Sequence, residues 1–166
     1  MSLAGVKEYL NKWDRAKDVI ELDVLSSTVE LAAQALDVIP ARIAKTLSFR
    51  SGDSCILIVT AGDVKIDNGK FRKQFGFKAR MLTAEEVKMM TGHEVGGVCP
   101  FAIADPDIQV YTDVSMQRFE TLFPACGSNN SAIELTLDEL YRYSASAGWI
   151  DVCKPITIES LQEVKN

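Results

Sequence analysis

The chain has 166 residues, 47% of them hydrophobic and 25% charged, with a net charge of −5. That length suits one domain with a core of its own, so a single domain over 1–166 is expected. No stretch approaches the ~18 consecutive apolar residues of a membrane helix, and the acidic balance argues against broad coating of a polyanion, which depends on phosphate neutralisation.

The N-terminal stretch MSLAGVKEYLNKWDRAKDV lacks the apolar core of a secretory leader, which makes the cytoplasm the expected location. Residues 3–20 read as a helix, with Val6, Tyr9, Leu10 and Trp13 near helical spacing. Ser27 and Glu30 are spaced as a capping box ahead of a helix with Val29, Ala32, Ala33 and Leu36 on one stripe. Pro40 then opens a short helical turn, PARIAK.

Thr46 to Phe49 reads as a strand, and SCILIVT (Ser54 to Thr60) as a central strand buried on both faces. Asp67 to Phe75 predicts a helix stopped by Gly76. Thr83 and Glu86 predict a second capping box, on a helix that Gly92 ends. Further strands are expected at Phe101–Ala104, Ile108–Thr112, Thr121–Phe123 and Ala132–Leu135. A helix capped by Thr136 and Glu139 follows, then a short strand over Trp149–Cys153. This irregular order predicts an α+β (mixed α/β) fold, with helices around a mixed sheet. No GxGxxG or GxxxxGK[ST] motif supports a nucleotide-binding fold.

The four cysteines, Cys55, Cys99, Cys126 and Cys153, form no CxxC pair, and His93 is the sole histidine. Neither a zinc site nor a disulfide framework is expected; the thiols read as reduced and buried. Basic residues gather between Arg42 and Arg80, against only Asp53, Asp63 and Asp67 in the same span. That local excess suits either a solvated face or a small, defined contact with a polyanion.

Chemistry concentrates in GHEVGGVCPFA, Gly92 to Ala102. Cys99 and His93 are candidates for a thiol nucleophile and its base, although sequence nearness is poor support for such a pair. Gly96-Gly97-Val98, stiffened by Pro100, is a candidate backbone cradle able to aim N–H groups at a carbonyl or oxyanion. An ordinary tight turn explains the same glycines. A second small-polar loop, ACGSNNSAIEL, reads equally as a turn or as a sugar or phosphate contact. Lys45, flanked by apolar residues, is either surface charge or an electrostatic group in a cleft.

AKTLSF with Lys45, then GGVCPF, then GSNNSAIELT resembles, in that order, the YbaK family, also called the prolyl-tRNA-synthetase-associated domain. The resemblance runs from about Thr28 to Ser146. It implies a mostly antiparallel mixed sheet surrounded by helices, and a hydrolase that cleaves the ester between a wrong amino acid and its tRNA. It implies no cofactor, no metal and no protein nucleophile; water, or a group of the substrate itself, attacks, and the terminal ribose hydroxyl can assist. Lys45 matches the family lysine beside the terminal adenosine and the ester. Gly96, Gly97 and Val98, with Cys99, Pro100 and Phe101, match the loop that holds the aminoacyl carbonyl or the ribose. Thr46 follows the lysine on the substrate side, and Gly127 with Ser128 matches the glycine loop on the adenosine side. The implied partner is the 3′ end of a mischarged tRNA, with prolyl-tRNA synthetase as a possible second; no DNA and no membrane are implied. With no synthetase around it, the chain is expected to be a free-standing editor of tRNA for proline carrying cysteine, alanine or another small residue. A noncatalytic module of the same fold, binding an aminoacyl or nucleotide ligand, stays open as the alternative, as does the Cys99/His93 hydrolase.

Overall fold

The computed structural model describes residues 2–156. In chain order its helices and strands are α1 (Leu3–Leu10), β1 (Ile20–Glu21), α2 (Val29–Leu36), β2 (Ile43–Ser51), β3 (Ser54–Ala61), β4 (Val64–Ile66), α3 (Asn68–Phe75), α4 (Ala84–Thr91), β5 (Gln109–Asp113), β6 (Thr121–Pro124), β7 (Ser131–Ala132), β8 (Leu135–Thr136), α5 (Leu137–Tyr143), β9 (Trp149–Ile150) and β10 (Cys153–Pro155). Six strands form one mixed sheet in the order β8-β6-β2-β3-β5-β9. Its spine is the long antiparallel β2–β3 ladder, which aligns Lys45 with Thr60 and Thr46 with Val59. β6 runs parallel to β2, and β5 parallel to β3. Two antiparallel ribbons, β1 with β7 and β4 with β10, flank the sheet. Across sheet and ribbons four of the seven pairings among the described residues are antiparallel, whereas within the six-stranded sheet β2–β6, β3–β5 and β5–β9 are parallel; the helices pack around this mixed sheet.

Leu57, Ile58 and Val59 are fully buried, as an apolar run with β-branched side chains requires of a central strand. The capping boxes at Thr83–Glu86 and Thr136–Glu139 form as their spacing predicts. Gly76 and Gly92 end their helices in the left-handed conformation.

Six local expectations need correction, two of them single strands that divide because their ends pair with different partners: Ala132–Leu135 falls into β7 and β8, and Trp149–Cys153 into β9 and β10. The first helix stops at Leu10 and continues only as 3-10 turns, because Asp14 adopts a left-handed conformation. Thr28, not Ser27, caps α2, accepting a bond from the Leu31 N–H. The PARIAK turn closes at Arg42, and Ile43 already belongs to β2, which places Lys45 within a strand. Phe101–Ala104 is not a strand: Phe101 is buried against Tyr9 and Ala102 turns left-handed, so the segment spends its apolar character on packing without pairing.

Asp113 ties the two halves of this framework. Its fully buried carboxylate accepts bonds from Val152 N and Ser115 N, both at 2.9 Å. Asp113→Ala strands both donors, each at a cost of about 1–3 kcal/mol. A loss of about 2–5 kcal/mol is expected in urea unfolding, with Asp113→Asn losing roughly half as much because its amide still accepts one of the two bonds.

Candidate active site

The β2 strand has a gap along one edge. Ile43 and Ala44 pair with Phe123 and Pro124 of β6. Further along, Ser48 O accepts from Leu82 N and Arg50 N donates to Arg80 O. Between these contacts the edge at 45–47 opens into a cavity of about 260 Å³. Its walls are the start of α2 (Thr28, Val29, Ala32), Leu82 and Val87 beside α4, the loop residues Gly96 and Val98, and Phe123 with Ala132. Lys45 and Thr46 lie on its floor. The lining contains no aspartate, glutamate, histidine or cysteine.

Lys45 reaches this cavity because it sits mid-strand, and its ammonium donates to the Val64 carbonyl of β4. No carboxylate pairs with it among the described residues. Burial holds its pKa below the usual lysine value, against the weaker opposing pull of Cys153, Glu30 and Asp63. The Lys45 ammonium therefore has a neutral hydrogen-bond partner and no ion pair among the described residues, with Glu30 and Asp63 acting on it only at longer range.

The glycine loop divides its residues between two spaces. Gly96 has φ of +93°, which a side chain resists, and a Cβ there would stand 3.1 Å from Ser27 Cβ. Its N–H and that of Val98 have no partner among the described residues, whereas Gly97 N donates to Glu94 O at 3.0 Å. Gly97 faces away from the cavity. A Cβ on it would lie 2.7 Å from the Gly127 carbonyl carbon and from Ser128 N, so the two glycine loops touch backbone to backbone. Gly97, Gly127 and Ser128 line an adjoining groove with Lys88 and Asn129, and Val95 borders both spaces.

Cys99, Pro100 and Phe101 line neither space; they are buried behind the loop. Cys99 and His93 do meet, with Sγ 3.6 Å from Nε2, but both are wholly buried. His93 Nε2 lies 2.8 Å from the Phe101 carbonyl. A carbonyl only accepts, so Nε2 carries the hydrogen and is not available to take the thiol proton. Burial pushes the Cys99 thiol up to about 12. These features describe a packing pair. Cys99→Ala is expected to keep hydrolytic activity within about threefold while losing about 1 kcal/mol of stability, measured by single-turnover deacylation alongside thermal melts.

The structure is thus an α+β domain whose cavity is lined by a partly buried lysine on β2 and by a glycine loop. Comparison with known proteins places it. The sequence profile described as the aminoacyl-tRNA editing domain matches residues 25–143, and the chain belongs to that family. Its relatives include YwhH of Bacillus subtilis (strain 168), named only as an uncharacterized protein, which is 59% identical over 93% of this chain and 98% of its own. Proline–tRNA ligase of Bacillus pumilus (strain SAFR-032) is 30% identical over 54% of this chain, which spans 16% of that enzyme. A solved structure provisionally named a trans-editing enzyme for prolyl tRNA synthetase superposes with a TM-score of 0.82 at 26% identity, covering 92% of this chain and 96% of that one.

The structure brings Lys45 and Gly96, both conspicuous in the sequence, to one cavity. Sequence reasoning missed Val29, Ala32, Phe123 and Ala132 as cavity walls, because apolar residues on a helix stripe or a strand carry the same signature whether they face core or ligand.

Proposed function

We propose that this chain is a free-standing deacylase, hydrolysing the ester between tRNA and a small, wrongly attached amino acid, with tRNA for proline as its substrate. The observation that carries this reading is that Lys45, which forms no ion pair among the described residues, lines one cavity with Gly96 and Val98, whose N–H groups have no partner there.

An aminoacyl ester is already activated, so positioning and charge stabilisation supply much of what is needed. Water, or the neighbouring ribose hydroxyl, attacks the ester carbon. The carbonyl oxygen takes up negative charge in the tetrahedral intermediate, where the Gly96 and Val98 N–H groups and the Lys45 field stabilise it. Collapse breaks the bond from carbon to the ribose oxygen, which leaves with the proton released by the attacking hydroxyl. When water attacks, the amino acid departs as the free acid. When the ribose hydroxyl attacks, the acyl group first moves to that oxygen, and water completes the hydrolysis.

The cavity is below the ~300 Å³ at which pockets for drug-sized ligands begin. It suits an aminoacyl group, and the terminal adenosine then occupies the adjoining groove at Gly97, Gly127 and Ser128. Apolar walls with no acid favour a small neutral side chain, and a larger cognate residue is excluded by size more readily than a smaller one is rejected.

Arg72, Lys73, Lys78 and Arg80 supply an exposed basic strip that carries no ion pair among the described residues. It leads directly to Met81 on the cavity rim. In this reading the acceptor stem lies along it. Reversing Lys78 and Arg80 to glutamate is expected to raise KM for mischarged tRNA at least about tenfold, leave kcat within about twofold, and flatten the salt dependence of KM. Steady-state kinetics at two salt concentrations check this.

The test of the function is deacylation of a panel of mischarged tRNAs by the purified protein. A noncatalytic module would bind these tRNAs and release no amino acid.

A further inference from the structure

We infer that the open edge of β2 at Thr46 binds the aminoacyl group as a strand of one residue, the Thr46 carbonyl accepting from the substrate's α-ammonium and the Thr46 N–H donating to the ester carbonyl. This rests on the deacylase reading and adds to it a main-chain recognition element.

Successive residues of a strand turn their N–H and C=O groups to opposite edges. Ser48 and Arg50 direct theirs away from β3, toward residues 80–82. Thr46 shares their parity, so its pair points the same way. Ala44, two residues earlier, lies opposite Pro124 of β6, where that ladder ends. Nothing lies opposite Thr46 except the cavity, and neither of its main-chain groups has a partner among the described residues.

Main-chain N–H and C=O groups within a sheet are almost always paired, so an unmatched pair facing a half-open cavity is a place where a ligand can complete the sheet. The chemistry of the ligand fits. An aminoacyl ester carries N–Cα–C=O, the same repeat as one peptide residue, with a donor and an acceptor at strand spacing. Extended peptides add to sheet edges through this pairing, and here the added strand is a single residue. Its side chain is left to the apolar walls from α2 and Phe123. Its carbonyl is presented to Lys45 and to the Gly96 and Val98 donors. Main-chain recognition is blind to the side chain, so it holds any α-amino acid and leaves selection to the walls.

The geometry also supplies a clean perturbation. The Thr46 N–H points away from β3, so removing it breaks no bond of the β2–β3 ladder. The Thr46 hydroxyl has no partner either. Thr46→Pro removes the N–H. A threonine side chain on an α-hydroxy acid at position 46, installed by nonsense suppression, removes the N–H without proline's ring, at the cost of a weaker acceptor at the Lys45 carbonyl, and controls for proline's effect on folding. Both are expected to lose about 10²–10³-fold in single-turnover rate, the range for one lost oxyanion donor.

A second arm reads binding without turnover. The alanyl and propionyl amides of 3′-amino-3′-deoxyadenosine differ only in the α-ammonium, and calorimetry is expected to show the alanyl compound bound at least about tenfold more tightly by wild type. Wild-type rates in both N–H-deleted variants, or equal binding of the two amides, would overturn the inference. Tighter binding of the alanyl amide by a wild-type protein that hydrolyses no mischarged tRNA would instead sustain the edge site and overturn the deacylase reading.

Discussion

Lys45→Ala is expected to lower hydrolysis of mischarged tRNA by about 10²–10³-fold, the scale on which one preorganised electrostatic group acts in a water-poor site. The ammonium is fixed by the Val64 carbonyl and has no paired carboxylate, so its field is spent on whatever enters the cavity. Lys45→Arg should restore little, because a planar guanidinium does not fit the contact made by a compact ammonium.

The same placement costs stability, and the sign can be tested. Burial lowers the pKa of Lys45 in the folded chain below the ordinary lysine value, so the unfolded chain binds that proton more tightly. Stability from this group is then lowest where both states are protonated. It rises as pH climbs from the folded pKa toward the free-lysine value. Lys45→Met, which fills the space and carries no proton, is expected to melt higher than wild type at neutral pH, with the difference shrinking in alkaline buffer. Thermal melts across pH check this, and a variant that melts lower at neutral pH would show that the buried ammonium is stabilising.

Gly97→Ala is the second large effect, and it acts without touching the cavity. The added methyl would stand 2.7 Å from backbone atoms of Gly127 and Ser128, which have no rotamer by which to yield. The two loops must separate, at a cost of about 1–3 kcal/mol by the usual scale of overpacking. Separation displaces Gly96 and Val98 on one side and the groove at Gly127 on the other. Since a misplacement of about 1 Å costs on the order of 10²-fold in rate, kcat/KM is expected to fall by about that factor in protein that remains folded. Circular dichroism and single-turnover deacylation together separate this from simple unfolding. Unchanged kinetics in a folded Gly97→Ala would show that the loop contact does not set the site.

Much of this architecture can be read directly from residues. SCILIVT has the composition of a doubly buried strand, and Thr83–Glu86 and Thr136–Glu139 carry their own start signals, so those elements form where local chemistry places them. The short strands do not. β4 and the β9–β10 pieces exist because Val64, Trp149 and Cys153 find partners far along the chain, and nothing local encodes those partners. Phe101–Ala104 fails in the opposite direction, being apolar enough for a strand and needed as packing.

The site divides in the same way. Lys45, Gly96 and Gly97 stand out in the sequence because a lysine among apolar residues and paired glycines are locally unusual. The open β2 edge at Thr46 has no sequence signature, since it arises from where two neighbouring ladders stop. Cys99 and His93 show the converse: the most reactive residue types in the loop meet at 3.6 Å, yet burial and the Phe101 carbonyl take them out of chemistry.

The central claim is tested most directly by incubating the purified protein with tRNA for proline charged in parallel with alanine, cysteine, serine and proline, and following release of the amino acid. The account predicts rapid release of at least one small noncognate residue, sparing of the proline ester, loss of that activity in Lys45→Ala and its persistence in Cys99→Ala. Intact esters throughout the panel, or release abolished by Cys99→Ala while Lys45→Ala remains active, would contradict it.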